Sequence, residues 1–228
     1  LDPHSSIYLA IVEKAYRKEA SPIDAVPMSK YMRNQFNFLG IKAPRRSEIS
    51  RDFLQKATRP LYDKLAEVII ELWSLEEREF QYFAIVLLEK YKKDFSHDTL
   101  PLIEHMLVEK SWWDTVDPVA SKLAGHLFKI NPELREPVVE KWISSGNFWL
   151  ERSAILFWLK YKKDTDWDFL KTTIRRLRNS EEFFVQKAMG WVLREYSKVE
   201  PSRVREFITE NELPCLTVRE GLKFLKKQ

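Results

Sequence analysis

Apolar residues recur at helical spacing along nearly the whole chain, in runs separated by short polar stretches. From Ser6 to Lys18, Ile7, Ala10, Ile11 and Ala15 share one face, which predicts a first helix. A second is predicted from Val26 to Phe38, where Gly40 interrupts the pattern. The basic connection Ile41-Lys42-Ala43-Pro44-Arg45-Arg46 leads into a helix near Ser47 to Thr58, and Pro60 opens another that runs to Trp73. Further helices are expected at Glu76–Lys93, Thr99–Glu109, Ser111 or Pro118–Ile130, Pro132–Ile143 and Phe148–Lys163. Trp167–Arg178, Glu181–Lys198, Ser202–Glu210 and Thr217–Lys227 complete the set. No run alternates convincingly as a strand does, and five glycines are few for a sheet-and-turn protein of 228 residues. The expected class is all-α. The connections are short and carry Asn, Asp, Ser and Pro without a linker-like stretch, so one domain spanning 1–228 is expected.

The helices also repeat. Tyr91-Lys92-Lys93 aligns with Tyr161-Lys162-Lys163 at an offset of 70, and Tyr161 to Tyr196 is half of that, 35. At these offsets Ala84 falls on Ala154, and Phe148-Trp149 on Phe183-Phe184. A paired-helix period near 35 predicts a curved α-solenoid, in which each pair buries its apolar face against its neighbours. Tyr82, Asp117, Arg152 and Lys187 then occupy equivalent places in successive repeats and are expected along the inner face.

Composition narrows the function classes. The single cysteine, Cys215, excludes an intramolecular disulfide and a cysteine-rich metal site, and His4, His97, His105 and His126 form no ligand motif. No metal and no cofactor are expected. No apolar run is long enough to span a bilayer, and Leu1-Asp2-Pro3-His4 lacks the basic and apolar regions of a signal peptide, so a cytoplasmic monomer without membrane contact is the expectation. The net charge of +4 permits nucleic-acid binding without establishing it. Its distribution is uneven: Lys141 to Gln228 holds 18 Lys and Arg against 12 Asp and Glu, leaving 20 against 22 before it.

The most chemical stretch is Ser111-Trp112-Trp113-Asp114-Thr115-Val116-Asp117, with two indoles and two carboxylates in seven residues. If it is helical, Trp113 and Asp117 share a face, and a carboxylate stands beside an aromatic surface suited to a developing cation. The competing reading makes the tryptophans core and Asp117 an N-cap, with Pro118 at the first helical position. Lys42 and Arg46, with the helix start they flank, are candidates to hold a phosphate. Arg194, three after Trp191, either grips a phosphate or pairs with a nearby acid. Lys187 reads as a phosphate-neutralising lysine ahead of a Schiff-base nucleophile or a plain surface lysine. Trp142, Trp149, Trp158 and Trp167 are expected to pack.

Three blocks together resemble the AlkD family of DNA alkylation repair glycosylases. They are Ser111 to Asp117, Phe148-Trp149-Leu150-Glu151-Arg152, and Phe183-Phe184-Val185-Gln186-Lys187-Ala188-Met189-Gly190-Trp191-Val192-Leu193-Arg194-Glu195-Tyr196. Tyr31-Met32-Arg33-Asn34 and Phe38-Leu39-Gly40-Ile41 extend the similarity over nearly the whole chain. The resemblance implies a solenoid of HEAT-like repeats that holds double-stranded DNA in a basic groove. It also implies hydrolysis of the N-glycosidic bond of cationic alkylpurines in base excision repair, with the base still stacked. The family's catalytic aspartate matches Asp117, its two catalytic tryptophans match Trp113 and Trp191, and its groove arginine matches Arg152. Tyr31, Phe184 and Arg194 match other DNA-facing positions. Pro118 departs from the pattern, and the angle at which Asp117 enters the groove depends on it. Two alternatives remain at this level: a non-catalytic relative that binds unusual DNA structures, and a helical-repeat scaffold for another protein.

Overall fold

A computed structural model describes residues 1–227. It is all-α, and among the described residues the only β contact is an isolated bridge between Asn37 and Glu77. Although no linker marks a boundary, the chain packs as two compact units that meet in sequence between Phe95 and Ser96.

The first unit holds α1 (Pro3–Lys18), α2 (Pro22–Tyr31), α3 (Ala43–Phe53), α4 (Tyr62–Ser74) and α5 (Arg78–Glu89). Its core is built from Val12, Tyr16, Leu65, Val68, Leu72, Phe80 and Phe83, all essentially removed from water. α2 ends seven residues before the predicted Phe38. Arg33 and Asn34 both adopt φ of 55°, and the Asn34 amide closes back on the Ser29 carbonyl at 2.8 Å, so the helix terminates without the glycine that usually signals such an end. α3 starts at Ala43 instead of Ser47, because Pro44 sits in its first turn, where a missing amide costs nothing.

Between these helices the block Phe38-Leu39-Gly40-Ile41 is fixed by a buried acid. Glu79, fully buried, accepts the amides of Gly40 and Ile41 on Oε1 (2.9 and 3.0 Å) and that of Leu39 on Oε2 (3.0 Å). Gly40 is required there: its φ is +87°, and a Cβ would lie 2.1 Å from the Ser21 carbonyl oxygen. A buried carboxylate holding three amides makes this turn rigid and sets where Lys42 and α3 begin.

The second unit runs from α6 (Leu100–Val108) through α7 (Trp113–Pro118), a π-helical turn (Val119–Ala124), α8 (Gly125–Ile130) and α9 (Arg135–Ile143). It continues with α10 (Phe148–Leu156), α11 (Trp167–Leu177), α12 (Phe183–Tyr196), α13 (Pro201–Glu210) and α14 (Cys215–Gly221). The 35-residue period is physical. Glu77, Trp112, Asn147 and Glu182 are the N-caps of α5, α7, α10 and α12, spaced 35 apart. Polar contacts join neighbouring repeats: Lys129 to Asp164 at 2.7 Å, Lys141 to Glu104 at 2.7 Å, and Arg175 to the Asn211 amide oxygen at 3.0 Å. The repeated Tyr-Lys-Lys-Asp segments end their helices alike. Tyr91 donates to the Pro60 carbonyl and Tyr161 to that of Gly125, and a 3-10 turn follows each. α5 accordingly ends at Glu89, short of the predicted Lys93, whereas α10 passes at Leu156 into a 3-10 turn (Phe157–Lys160) well before the predicted Lys163.

Trp142, Trp149, Trp158 and Trp167 are all buried. Trp142 also donates from Nε1 to Glu104 at 2.9 Å, which satisfies the one polar atom of its ring. No helix among the described residues is long and apolar enough to cross a membrane.

Candidate active site

The stretch from Ser111 to Asp117 is resolved in favour of a helix that contains Asp117. Trp112, in extended conformation, is the N-cap, and its carbonyl accepts the amides of Thr115 and Val116 at 3.1 and 2.9 Å. Trp113 therefore opens α7, and Asp117 follows one turn later on the same face. Asp117 is not a cap, and Pro118 is not a first helical residue. Pro118 lies inside a continuous helix and cannot donate to the Asp114 carbonyl. The helix answers by widening into a π turn directly afterwards, where the Gly125 amide reaches back five residues to Ala120. Local register shifts of this kind are frequent at functional sites. Here the shift lets Asp117 stay helical in spite of the proline.

Asp117 is gripped by Arg152 of α10. Nε and Nη2 of the guanidinium donate to Oδ1 and Oδ2, each at 2.8 Å, while Nη1 donates to the Phe184 carbonyl at the start of α12. The arginine is 1% exposed and the aspartate 19%. The resemblance makes Arg152 a DNA-facing groove arginine, on an inner line with Tyr82, Asp117 and Lys187. The structure corrects that placement: three of its five N–H groups are committed inside the protein and the side chain is buried. It ties three consecutive repeats together and fixes the plane of the carboxylate. Asp117 has about four lone-pair sites, of which Arg152 takes two, so the remaining oxygen surface is free to act.

Burial pushes the Asp117 carboxyl above its ordinary value. The bonds from Arg152 and its charge pull it back, Asp114 adds repulsion and Lys187 a weaker attraction, and the net direction is upward.

Aromatic rings surround this pair. Trp191 of α12 lies with its centroid 5.2 Å from Arg152 Cζ and 5.4 Å from Lys187 Nζ. Phe184 is 5.7 Å from Arg152 and packs on Trp149 at 4.9 Å and Trp112 at 5.6 Å. Trp112 is thus part of the aromatic base under the site, whereas Trp113, partly exposed, stands on the face of Asp117. Trp149 packs as the sequence predicts, and Trp112 fills the core role that the competing reading gave to both tryptophans of its stretch.

The position of Trp191 is set from below. A Cβ on Gly190 would lie 2.5 Å from Cβ of Glu220 and 2.9 Å from the Thr217 carbonyl oxygen, so only glycine lets α12 and α14 approach this closely. Glu220, 5% exposed, accepts from Arg194 at 3.3 Å and from Lys223 at 2.5 Å. Burial opposes its ionisation, but these cations and Lys187 hold its carboxyl below the usual range. Arg194 is a third exposed and pairs across to α14, so its charge is shared between an internal acid and the surface.

The remaining candidates gather in the first unit. Tyr31, 71% exposed, Lys42 and Arg46 line one groove with Tyr82. Lys42 pairs with Asp24 at 2.7 Å, and the Arg46 guanidinium lies 4.5 Å from the Tyr82 ring centroid. Among the described residues no group of three or more His, Cys, Asp or Glu side chains comes together in a way that would hold a metal ion.

Comparison with known proteins agrees with these features. A family model described as DNA alkylation repair enzyme matches residues 12–225. Among solved structures, one described as a predicted DNA alkylation repair enzyme from Enterococcus faecalis is similar at 36% identity with a TM-score of 0.85, over 92% of this chain and 98% of that one. A search of curated proteins gave no match.

Proposed function

The chain belongs to the DNA alkylation repair enzyme family, and from that premise we propose that it is a monofunctional DNA glycosylase. It acts on cationic alkylpurines such as 7-methylguanine and 3-methyladenine in duplex DNA. The observation that carries this reading is the Asp117 carboxylate, held bidentately by a buried arginine beside two tryptophans. Alkylation at N7 or N3 gives the base a positive charge, so when the C1′–N bond breaks its electron pair passes to the cationic base, which departs neutral and leaves the positive charge on the sugar. Protonating the base is unnecessary. The catalytic demand is a negative charge near the sugar cation left behind, together with aromatic faces that tolerate it. Asp117 supplies the charge and takes the proton of the water that attacks C1′. Trp113 and Trp191 flank the sugar. Because Arg152 fixes both oxygens beforehand, little reorganisation accompanies the reaction.

Lys187, beside Trp191, and Arg194 are the side chains of this unit assigned to DNA phosphates, with Tyr31, Lys42 and Arg46 in the first unit. Lys187 is assigned no covalent role, since the carboxylate suffices for hydrolysis.

This mechanism selects by charge and bond lability instead of by a fitted pocket around the base. Single-turnover excision should therefore release 7-methylguanine, 3-methyladenine and bulkier cationic adducts, and leave uncharged uracil and hypoxanthine in place. Robust uracil release, or sharp rejection of every bulky cationic adduct, would point to a recognition pocket instead. Release of none of them would favour a non-catalytic DNA-binding relative.

The pH profile is a second check. Asp117 works as the anion, and its carboxyl lies above the ordinary value, so lowering the pH protonates it earlier than a solvated aspartate. Excision should be level near neutrality and fall on the acid side through an apparent pKa higher than the usual 3.9 or so of aspartate. A profile flat down to about pH 4 would contradict the assigned role.

A further inference from the structure

We propose that the groove of the first unit is a subsite for a single unpaired nucleotide of a DNA strand, an inference that rests on the DNA-binding reading above. The groove encloses about 450 Å³, within the range of roughly 300–1,000 Å³ common for ligand sites. One wall is α2, with Met28 and Tyr31. The other is formed by Phe38, Lys42, Arg46 and Tyr82.

Three features select the occupant. First, the lining is apolar and aromatic to a degree that a phosphate contact alone would not need. Phe38 and Tyr82 lie 6.4 Å apart, and Tyr31 stands 71% exposed at the rim although tyrosines are ordinarily better covered. Phe38 is buried and Arg46 lies over the Tyr82 ring, so the ring placed to stack on a flat ligand is that of Tyr31. Second, the charge balance excludes a cation. Asp24 is the one carboxylate of the lining and is already held by Lys42 at 2.7 Å and by the Ser21 hydroxyl at 3.0 Å, while Arg46 lies over Tyr82. With Lys42 and Asp24 paired, Arg46 leaves the lining with one net positive charge, which suits a ligand that is flat, apolar and anionic, the chemistry of a nucleotide. Third, the groove is rigid. The turn that carries Phe38 and leads to Lys42 hangs on the three amides bound by buried Glu79, and α2 is closed by the Ser29 hydroxyl donating to the Phe36 carbonyl at 3.1 Å. A preformed cleft loses little entropy on binding.

A base paired within a duplex cannot enter such a cleft, so the occupant is a base already out of the stack. The groove offers it no available carboxylate, and the subsite binds without chemistry of its own.

The test compares two duplexes by fluorescence anisotropy on the full chain: one fully paired, the other identical except for a single unpaired nucleotide. Base–aromatic stacking makes the second bind about tenfold more tightly. The preference should shrink to about twofold or less in Tyr31→Ala and persist in Tyr31→Phe, which keeps the ring. Equal affinity for both duplexes in the unsubstituted protein, or a preference that survives Tyr31→Ala, overturns the subsite and leaves the glycosylase reading standing. Binding to neither duplex overturns both. Excision assays on the same preparations separate the cases, since a preserved preference without base release removes only the glycosylase.

Discussion

Asp117→Asn is expected to lower single-turnover release of 7-methylguanine by roughly 10²–10³-fold, the usual consequence of removing one preorganised electrostatic group from a reaction centre. Affinity for the same duplex should change by less than about threefold, because the lost charge is felt mainly by the sugar cation of the transition state. The substitution keeps the shape of the side chain. Asn retains an oxygen to accept from Arg152, but its NH2 then faces a second guanidinium N–H where a carboxylate oxygen stood 2.8 Å away. Some loss of stability follows, of the order of 1–3 kcal/mol for one buried donor left without its acceptor. Assays should therefore run well below the melting temperature of the variant, with circular dichroism showing it folded. Full excision by folded Asp117→Asn would end the carboxylate mechanism, and the acid limb of the pH profile should vanish in the same variant.

The division between what the sequence told and what it hid follows the physics of each signal. Helices were legible because apolar residues recur at helical spacing, although in α1 the face singled out carries the exposed Ile7 and Ile11 while Tyr8, Val12 and Tyr16 are buried. The 35-residue spacing was legible because successive repeats bury equivalent residues. Helix ends were harder. α2 stops at two residues in the left-handed region, neither of them glycine, and Pro118 carries the same local signature whether it opens a helix or sits inside one. The cap at Trp112, whose carbonyl takes the amides of Thr115 and Val116, decides between them, and the π turn that follows accommodates the proline. The stretch around Asp117 and Trp113 stood out because its residue types are chemical in themselves. Its supports did not. Glu79 and Arg152 look in sequence like the charged residues that normally face water, and nothing local says that one binds three amides and the other a carboxylate. A signal for the second existed all the same. Asp117 and Arg152 are opposite charges one repeat apart, the same separation as Lys129 and Asp164, so the period that exposed the repeats also paired them. Lys42 and Arg46 were found from a basic run at a helix start, whereas the groove they share with Tyr82 depends on a turn set by Glu79.

Arg152→Met is the variant for which the buried placement makes the most distinctive forecast. Methionine fills much of the space but leaves Asp117 largely buried without a counter-charge and the Phe184 carbonyl without its donor. Breaking a buried pair from one side costs about 3–5 kcal/mol, which for a chain of this size lowers the melting temperature by on the order of 10 °C. Excision should collapse for two linked reasons. The carboxylate loses its fixed plane, and without Arg152 nothing comparable offsets the burial that raises its pKa, so the acid limb moves further toward neutral pH. The double variant Arg152→Met with Asp117→Asn removes the stranded charge and should regain part of the lost stability, a coupling that a melting-temperature cycle measures directly. The salt dependence of DNA binding separates this account from the phosphate-contact role expected from sequence. A side chain 1% exposed reaches no phosphate, so the slope of log affinity against log salt should stay as in the unsubstituted protein. A phosphate contact would instead flatten it by roughly one unit with the melting temperature unchanged, and that result would return Arg152 to the DNA surface.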